Sequence, residues 1–596
     1  MKKTMLFSAA LAGLMLGACS SSDDLNSGGT GANENGSGYI ALSLNLPTRS
    51  GTVNRAANDD FQDGTTNEYE VKNGTLILFE GTDESSATFT AAYKLNNLNM
   101  NMSGTTTDNI TTNTTITQKL NNGLKNANNK FYAIVVLNDN GTLAVDDDNA
   151  TLKVNNEDFD SAKKISDLYG LQLTPTSAED WKKVGFLMMN APLSSVKGGS
   201  DAPTGAKVIT AAEIDKDHVY DTEALAKANT SANVYVERAL AKVDVTADAT
   251  TGQLTDNSKA KYEIKGWILD NTNKKSYYLR NTASSDKWLS LASNSTLSTL
   301  TKKYRFVGDN AVENGVSLYR TYWAQDPNYD TKPTDLTTDF NTIGGSAPTS
   351  LKNLGDVDYC LENTFTVGQQ NQDVTTRVIV AAQIQEDGKT FYVVNDNENS
   401  LLTEENMKKA VKEAFLNNTT VQNWIKNGLK TGETIGEEDL DVTVASTAGN
   451  NPPTININFT GAAKYTSGTA PATTQEVNGV ITGIKVATYA NGISYYPVRI
   501  KHFGDDLTPW RDHETPDPTV STGAYPDENK EGNYLGRYGV LRNNWYNVEV
   551  TGIKKLGSPV VPKVTGETDD ELAAYISVKI NVLSWAKRTQ STILGQ

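Results

Sequence analysis

The chain has 596 residues, of which 37% are hydrophobic and 21% are charged, so two or three domains with apolar cores are expected. Threonine, asparagine and tyrosine are abundant and β-branched runs are short, which favours an all-β protein of extracellular type. The net charge of −17 argues against nucleic acid as a partner, because a phosphate backbone attracts a basic surface.

The start of the chain predicts export and lipid anchoring. A basic start followed by a short apolar stretch is the pattern of a signal peptide, which we place at residues 1–18. Leu16-Gly17-Ala18-Cys19 has the form of a bacterial lipobox, in which Cys19 is acylated with fatty acids such as palmitate and becomes the new N-terminus. The serine-, glycine- and asparagine-rich segment that follows, to about Gly38, is typical of a flexible tether.

Two stretches near opposite ends of the chain alternate apolar and polar residues, which predicts half-buried strands. In the first stretch, residues 39–47, one face carries Ile40, Leu42, Leu44 and Leu46. In the second stretch, residues 575–585, one face carries Ile576, Val578, Ile580 and Val582. A further extended piece, residues 586–596, contains Ile593 and Leu594. Either these are simply the first and last strands of a β-protein, or one replaces the other between molecules.

Strand patterns recur between these two ends, and one segment has a helical pattern. The predicted strands are residues 74–79, 131–137, 185–189, 234–245, 262–269, 376–382, 390–394 and 540–553. Residues 403–427 show helical spacing, with two glutamates in the first turn. The pattern predicts two β-sandwich-like domains with long loops and a few short helices, with the boundary in or just after 234–245.

A search for catalytic and metal-binding motifs finds none that is complete. The three histidines, His218, His502 and His513, pair with no cysteine or carboxylate in a known spacing, and we expect them at the surface or hydrogen-bonded. Residues 199–207 resemble a phosphate loop but have an extra residue before the second glycine and Ala206 where the lysine is needed. Residues 146–157 resemble a calcium loop but lack a ligand and its glycine. Cys360 is either a small core residue or a free thiol. We therefore expect no enzyme activity, no cofactor and no metal.

Several motifs along the chain form a distinctive combination. They are the lipobox at 16–19, Tyr-Ala-Ile-Val-Val at 132–136, Val-Glu-Arg-Ala-Leu-Ala-Lys-Val at 236–243, Val-Leu-Arg-Asn-Asn-Trp-Tyr-Asn-Val at 540–548, Ile-Lys-Lys-Leu-Gly at 553–557, and Val578 to Trp585. With them the chain resembles the fimbrillins of Bacteroidales bacteria, the type V pilus family, and most closely the stalk subunit of their short (minor) fimbriae. Ser584 stands where that family usually has proline.

The resemblance implies a cell-surface pilus subunit with two transthyretin-like β-sandwich domains. It implies export to the cell outer membrane as a lipidated precursor, trimming at an arginine by an Arg-specific, trypsin-like protease, and polymerisation by donor-strand exchange. The product is an extracellular fimbrium that supports adhesion and biofilm formation. The implied partners are copies of the chain itself, anchor and tip subunits, the protease, and host or bacterial surface ligands.

The activating cut is expected after the first strand, in a polar segment that a protease can enter. We prefer Arg55 because Arg followed by Ala resembles the usual site of the family, and Arg49 is the alternative. The resulting division is a tether and removable strand at 19–55, an N-terminal domain at 56–245, a C-terminal domain at 246–574, and C-terminal strands at 575–596. The donor is either 575–585 or 586–596.

The sequence leaves two other functions open. The chain is alternatively a tip or anchor subunit of the same kind of filament. A tip subunit need only accept a strand, and an anchor subunit would keep its lipid. The chain is alternatively a surface lipoprotein that binds glycans, for which clustered exposed aromatic side chains would be expected. The eight tryptophans are instead scattered along the sequence, and the long alternating C-terminal strand favours a stalk.

Overall fold

The computed structural model describes a defined part of the chain. The described residues are 38–45, 68, 70–96, 98, 101–103, 111–121, 128–173, 185–195, 208–257, 260–282, 307–311, 318–321, 323–330, 335–345, 347–385, 387–445, 452–503, 535–566 and 576–584. Within these ranges strands dominate, which confirms the all-β prediction.

The strands are numbered in chain order. The first sixteen are β1 Tyr39–Asn45, β2 Gly74–Gly81, β3 Thr88–Lys94, β4 Asn101–Ser103, β5 Thr111–Lys119, β6 Lys130–Leu137, β7 Leu143–Asp146, β8 Thr151–Val154, β9 Glu157–Phe159, β10 Gln172–Leu173, β11 Met188–Asn190, β12 Leu193–Ser194, β13 Val208–Ile209, β14 Ala212–Ile214, β15 Ala232–Arg238 and β16 Leu240–Ala247. The others are β17 Thr251–Gln253, β18 Lys261–Asp270, β19 Thr272–Asn273, β20 Ser276–Tyr277, β21 Val307–Ala311, β22 Tyr319–Thr321, β23 Phe340–Asn341, β24 Val357–Leu361, β25 Arg377–Ile384, β26 Phe391–Val394, β27 Leu440–Ala445, β28 Thr454–Phe459, β29 Val486–Tyr489, β30 Ile493–Arg499, β31 Asn544–Ile553 and β32 Ile576–Ser584. The α-helices are α1 Ile165–Tyr169, α2 Glu223–Ala228, α3 Leu336–Asp339, α4 Glu404–Leu416, α5 Thr419–Gly428 and α6 Thr474–Ile481.

The N-terminal half is built on a nine-stranded sheet. Its order is β3-β2-β6-β11-β15-β1-β5-β4, and β14 also pairs with β6. Strands β2 and β6 are nearly continuous apolar runs, so both of their faces are buried. Phe79, Phe89 and Phe159 pack edge to face, with ring centroids 5.5 to 6.3 Å apart. A single apolar cluster joins these rings to the side chains of β1.

The C-terminal half is a sandwich of two four-stranded sheets. One sheet has the order β24-β16-β31-β32 and the other has the order β17-β18-β25-β30. Their facing side chains form one apolar cluster, which includes Val243 and Tyr546 from the first sheet and Val380 and Tyr496 from the second. Alternation along β31 and β32 therefore buries one face of each strand, as the sequence pattern predicts.

The prediction of a single strand over residues 234–245 is wrong. The chain forms β15 and β16, separated by Ala239, whose backbone N–H donates to the carbonyl of Leu187. Strand β15 pairs within the nine-stranded sheet, whereas β16 pairs with β24 and β31 in the other half. The strand is interrupted at Ala239 because the two parts of this buried run pair in different sheets.

Buried charges join the two halves around this break. Arg542, which is 0% exposed, donates to the carbonyls of Tyr278 (2.9 Å) and Tyr277 (2.6 Å). Its Nε lies 3.5 Å from Glu362, and Arg280 lies 3.0 Å from Glu237 on β15. Burial raises the pKa of the Glu237 carboxyl, and the neighbouring arginines oppose that rise. Because these charges are buried, removing one partner is costly.

A third apolar cluster is formed by the part of the chain that runs from β26 to β29. Helix α4 contributes Met407, Val411 and Phe415 at a spacing of four residues, and all three are 0% exposed. Helices α5 and α6 and the hairpin β27–β28 complete the cluster. The helix predicted over 403–427 is broken at Asn417, and Asn418 caps the second helix by accepting from the Thr420 N–H (2.9 Å).

The three apolar clusters can be compared with the predicted division into two domains. The cluster of the N-terminal half also takes in Leu361, which lies far beyond the predicted boundary. The third cluster lies entirely within the predicted C-terminal domain. Strands β26 and β29 pair antiparallel, with Val394 opposite Val486, so residues 395–485 leave and re-enter the sandwich at neighbouring points. We propose that 395–485 is an inserted module and that the two-domain division holds for the rest.

We expect Phe415→Ala to destabilise only this module. Deleting a fully buried phenylalanine side chain costs about 3–5 kcal/mol, and here the cavity falls within the third cluster. Native-state hydrogen exchange should show lost protection in 395–485 and unchanged protection in β25 and β31. The control on the same helix is Lys409→Ala, whose side chain is 62% exposed. Equal loss of protection in the sandwich would show that the module does not fold separately.

Candidate functional site

Strand β1 occupies an internal position in the nine-stranded sheet. It pairs parallel with β15, with Leu42 opposite Ala232, and antiparallel with β5, with Leu42 opposite Ile116. The pairing with β5 runs the whole length of β1, from Tyr39 to Asn45. An N-terminal strand of seven residues therefore separates two strands that do not otherwise meet in the sheet order.

The apolar side chains predicted for β1 are fully buried. Ile40, Leu42 and Leu44 are each 0% exposed and belong to the cluster of the N-terminal half. Burying an aliphatic side chain of this size contributes roughly 1.5–3 kcal/mol. The position of β1 is thus a long apolar slot between β5 and β15, which we call the β1 slot.

The N-terminal end of β1 is held by the segment that precedes β15. Tyr39 and Tyr220 exchange backbone hydrogen bonds of 2.6 and 2.9 Å. The Ser231 N–H donates to the carbonyl of Ala41 (2.7 Å), and the Ser231 hydroxyl accepts from the Ala41 N–H (3.2 Å). That hydroxyl also donates to the carbonyl of His218 (2.6 Å). The end of the strand is therefore fastened on the β15 side.

Helix α2 covers the outer face of the same strands. It packs against both β1 and β5, and its Ala226 is 0% exposed. The Thr117 hydroxyl on β5 donates to Glu223 in the first turn of α2 (2.6 Å). Ala41, whose side chain lies on the face opposite Leu42, is also fully buried. Both faces of β1 are consequently covered.

Several predicted site residues lie outside the described residues. They are Cys19, Leu46, Arg49, Arg55, Ile593 and Leu594. The first described residue after β1 is Glu68, which is 1% exposed. Its carboxylate pairs with Lys242 at 2.9 Å and accepts from the Tyr359 hydroxyl, and its carbonyl accepts from Arg238 (2.9 Å). The chain downstream of both candidate cuts is thus attached at Glu68 independently of β1.

The predicted C-terminal strand is present as β32, at the edge of the sheet that contains β31. The two strands pair antiparallel from Asn544–Ser584 to Ile553–Ile576, and Val582 lies opposite Tyr546. Val578 is 3% exposed and Ile580 is 6% exposed. Strand β32 therefore completes its own sandwich, and one of its edges has no partner among the described strands.

The β1 slot is connected to β32 partly through the chain and partly through strand pairing. Strand β15 forms one wall of the slot and continues through Ala239 into β16. Strand β16 pairs parallel with β31, and β31 pairs with β32. The buried charges around Arg542 and Glu362 surround the point where β15 becomes β16.

Two of the histidines and Cys360, all considered in the sequence analysis, lie among the described residues. His502 is buried, and its ring lies 2.8 Å from the Tyr546 hydroxyl, whereas His218 is partly exposed beside the carbonyl of Thr230. Burial raises the pKa of the Cys360 thiol, which packs in the core of the sandwich. The described residues hold no cluster of three metal-binding side chains, and no helix among them could span a membrane.

Sequence reasoning missed the partners of β1. Strand β5, Thr-Thr-Asn-Thr-Thr-Ile-Thr-Gln-Lys, has Ile116 as its only apolar residue, so it lacks the alternation that identifies strands. Ser231 and Tyr220 act through backbone and hydroxyl hydrogen bonds, for which the sequence carries no signal. The buried Glu237 and Arg542 are of residue types that are usually exposed.

Comparison with known proteins gives a match at the C-terminal end. Residues 523–591, which contain β31 and β32, match the family described as major fimbrial subunit protein type IV, fimbrillin, C-terminal. No curated protein matches the sequence.

Three solved structures illustrate the structural comparison. A fimbrilin from Porphyromonas gingivalis is 12% identical, covers 92% of this chain and 99% of its own, and has a TM-score of 0.31. A tip fimbrial protein from the same organism is 13% identical, with coverages of 92% and 100% and a TM-score of 0.27. A fimbrial assembly protein from Parabacteroides distasonis is 12% identical, with coverages of 57% and 95% and a TM-score of 0.23. Scores this low carry no argument, so the assignment depends on the sequence. The sequence match to the fimbrillin family thus covers the C-terminal segment, residues 523–591.

Proposed function

We propose that this protein is a stalk subunit of a surface fimbria and that it polymerises by strand replacement. A C-terminal strand of one subunit takes the position of β1 in the next. The observation that carries the proposal is the β1 slot itself. An N-terminal strand fills an internal, fully buried position, and two arginines, Arg49 and Arg55, follow it closely in the sequence.

Replacement requires that β1 be cut from the body first. While β1 is tethered, its effective concentration at the slot is about millimolar or higher, and a free strand at micromolar concentration cannot compete. After a cut at Arg55, β1 is held only by non-covalent contacts. The body keeps its attachment at Glu68, whose ion pair with Lys242 is buried, so β2 need not loosen when β1 leaves.

The incoming strand has to satisfy both edges of the slot and its apolar floor. It must pair with β5 and β15 and place aliphatic side chains where Ile40, Leu42 and Leu44 lie. Such addition of a strand combines backbone hydrogen bonds with side-chain pockets and gives tight, specific binding. The ordering and association costs are offset by about 1.5–3 kcal/mol for each buried aliphatic side chain.

Two C-terminal pieces remain as candidate donors. Strand β32 has the matching alternation, but it is paired with β31 and its Val578 and Ile580 are buried, so donating it would open its own sandwich. Residues 586–596 carry Ile593 and Leu594 and follow directly after β32. The pairing of β32 supports 586–596 as the donor.

The remaining steps follow from the same proposal. Acylation of Cys19 holds the precursor at the cell outer membrane, and an Arg-specific, trypsin-like protease releases β1 together with the lipid. The subunits then join other copies, an anchor subunit and a tip subunit in an extracellular fimbrium. That fimbrium supports adhesion to host or bacterial surfaces and biofilm formation.

We expect filament subunits to begin at Ala56. N-terminal sequencing of purified filaments checks this, and mass spectrometry should find no peptides from residues 20–45. Arg55→Ala should accumulate monomers, and Arg55→Lys, which keeps the charge, should do the same if the protease requires a guanidinium. A chain that begins at Ser50 would move the cut to Arg49. Filaments formed by the uncut double variant, Arg49→Ala with Arg55→Ala, would contradict the mechanism.

We expect deletion of residues 586–596 to stop polymerisation without reducing stability. Export and the thermal unfolding midpoint should be unchanged, because β32 and its pairing with β31 remain. The comparison variant lacks 575–596, loses β32 and should unfold at a lower temperature because the core beneath Val578 and Ile580 opens. Electron microscopy of the protease-treated proteins gives the result. Normal filaments from the shorter deletion would assign the donor to β32, and normal filaments from both would exclude a C-terminal donor.

A further inference from the structure

The two faces of β1 bury side chains of different size. On the inner face three aliphatic side chains, all 0% exposed, belong to the cluster of the N-terminal half. On the outer face, which α2 covers, Ala41 is also 0% exposed, whereas Tyr39 and Ser43 on either side of it are partly exposed. The outer face is therefore closed above a single methyl group, at a position that we call the Ala41 site.

The surroundings of the Ala41 site are fastened on both sides of the strand. On the β15 side, Ser231 is 3% exposed, and its hydroxyl accepts from the Ala41 N–H (3.2 Å) and donates to the carbonyl of His218 (2.6 Å). On the β5 side, the Thr117 hydroxyl donates to Glu223 of α2 (2.6 Å). A larger side chain at the Ala41 site would have to break these contacts, and overpacking of a filled core is destabilising.

We propose that the β1 slot selects its strand by size at the Ala41 site. This inference rests on the proposed strand replacement, because it concerns the strand that enters the slot. The entering strand carries alanine, glycine or serine at this site, and its neighbours on either side point inward to the apolar floor. The position of Ser43, two residues further on the same face, accepts a longer side chain because it is partly exposed.

The size limit fixes the register of residues 575–585, one of the two candidate donors. Tyr-Ile-Ser-Val-Lys-Ile-Asn at 575–581 corresponds position by position to Tyr-Ile-Ala-Leu-Ser-Leu-Asn at 39–45. In this register Ser577 takes the Ala41 site and Lys579 takes the partly exposed position of Ser43. A shift of two residues, which keeps each side chain on its face, would put Tyr575 or Lys579 at the Ala41 site.

The other candidate, residues 586–596, also meets the limit with a serine. Ser591 at the Ala41 site puts Leu594 in the place of Leu44, and residues 589–595 then fill the slot from end to end. The remaining inward residues, Gln590 and Thr592, fit the apolar floor less well than the aliphatic residues of 575–581 do. Residues 586–596 in turn need no opening of the sandwich. The two arguments favour different donors, and the size limit applies to both.

The test offers synthetic peptides to the full chain after cleavage at Arg55. The peptides cover 575–581, 589–595 and, as a positive control, 39–45, and fluorescence anisotropy of an N-terminal label reports entry into the slot. We expect the Ser577→Leu, Ser591→Leu and Ala41→Leu peptides to bind about tenfold to a hundredfold more weakly than their parents, because leucine overpacks the Ala41 site.

The matched control is the Lys579→Leu peptide. It adds the same leucine side chain on the same face, two residues away, at the position of Ser43. It should bind at least as well as its parent, because that position is partly exposed in β1. Equal binding of the Ser577→Leu peptide and its parent would overturn the size limit, as would equal losses in the Ser577→Leu and Lys579→Leu peptides.

The uncut chain gives a second readout, in which no strand is exchanged. Ala41→Leu should lower the thermal unfolding midpoint, whereas Ala41→Ser and Ser43→Leu should leave it nearly unchanged. If no peptide enters the slot, not even 39–45, strand replacement fails and this comparison decides the size limit alone. Equal midpoints for Ala41→Leu and Ser43→Leu would then overturn it.

Discussion

The pairing of β1 on both edges is the constraint on which the rest of the N-terminal half depends. Strands β5 and β15 meet only through β1, and the side chains of Ile40, Leu42 and Leu44 close the core between them. If the slot were empty, the buried N–H and C=O groups of both neighbours would lose their partners. The half is therefore stable with its own strand or with an equivalent one. The stability of the N-terminal half therefore depends on whether the β1 slot is filled.

The buried charges between the halves give the slot a fixed relation to the C-terminal strand. Strands β15 and β16 are one stretch of chain that changes sheets at Ala239, and Arg542 and Glu362 pack around that change. A strand held in the slot is thereby linked, through β15, β16 and β31, to β32 of the same subunit. The Glu68–Lys242 pair attaches the chain downstream of both candidate cuts to β16.

The two end strands could be predicted from the sequence because alternation is a local signal, and both occur at the predicted positions. Strand β5 could not, because its contribution is backbone pairing and Ile116 is its only apolar residue. The break at Ala239 was also hidden, since no glycine or proline interrupts the run. Buried Glu237 and the Ala41 site depend on residues that are distant in sequence and meet only in the folded sheet. Local sequence pattern thus identified β1 and missed the residues that hold it.

The central claim is that β1 must leave before subunits join, and a reversible disulfide tests it most directly. Ser43 on β1 lies opposite Thr115 on β5 in the antiparallel pairing, and neither side chain is in the core. Directly opposed Cα atoms about 4.5–5.5 Å apart suit a disulfide. Protease-cut Ser43→Cys/Thr115→Cys protein should stay monomeric when oxidised and form filaments after reduction, as seen by electron microscopy. Filaments that assemble while the disulfide remains intact would contradict the account.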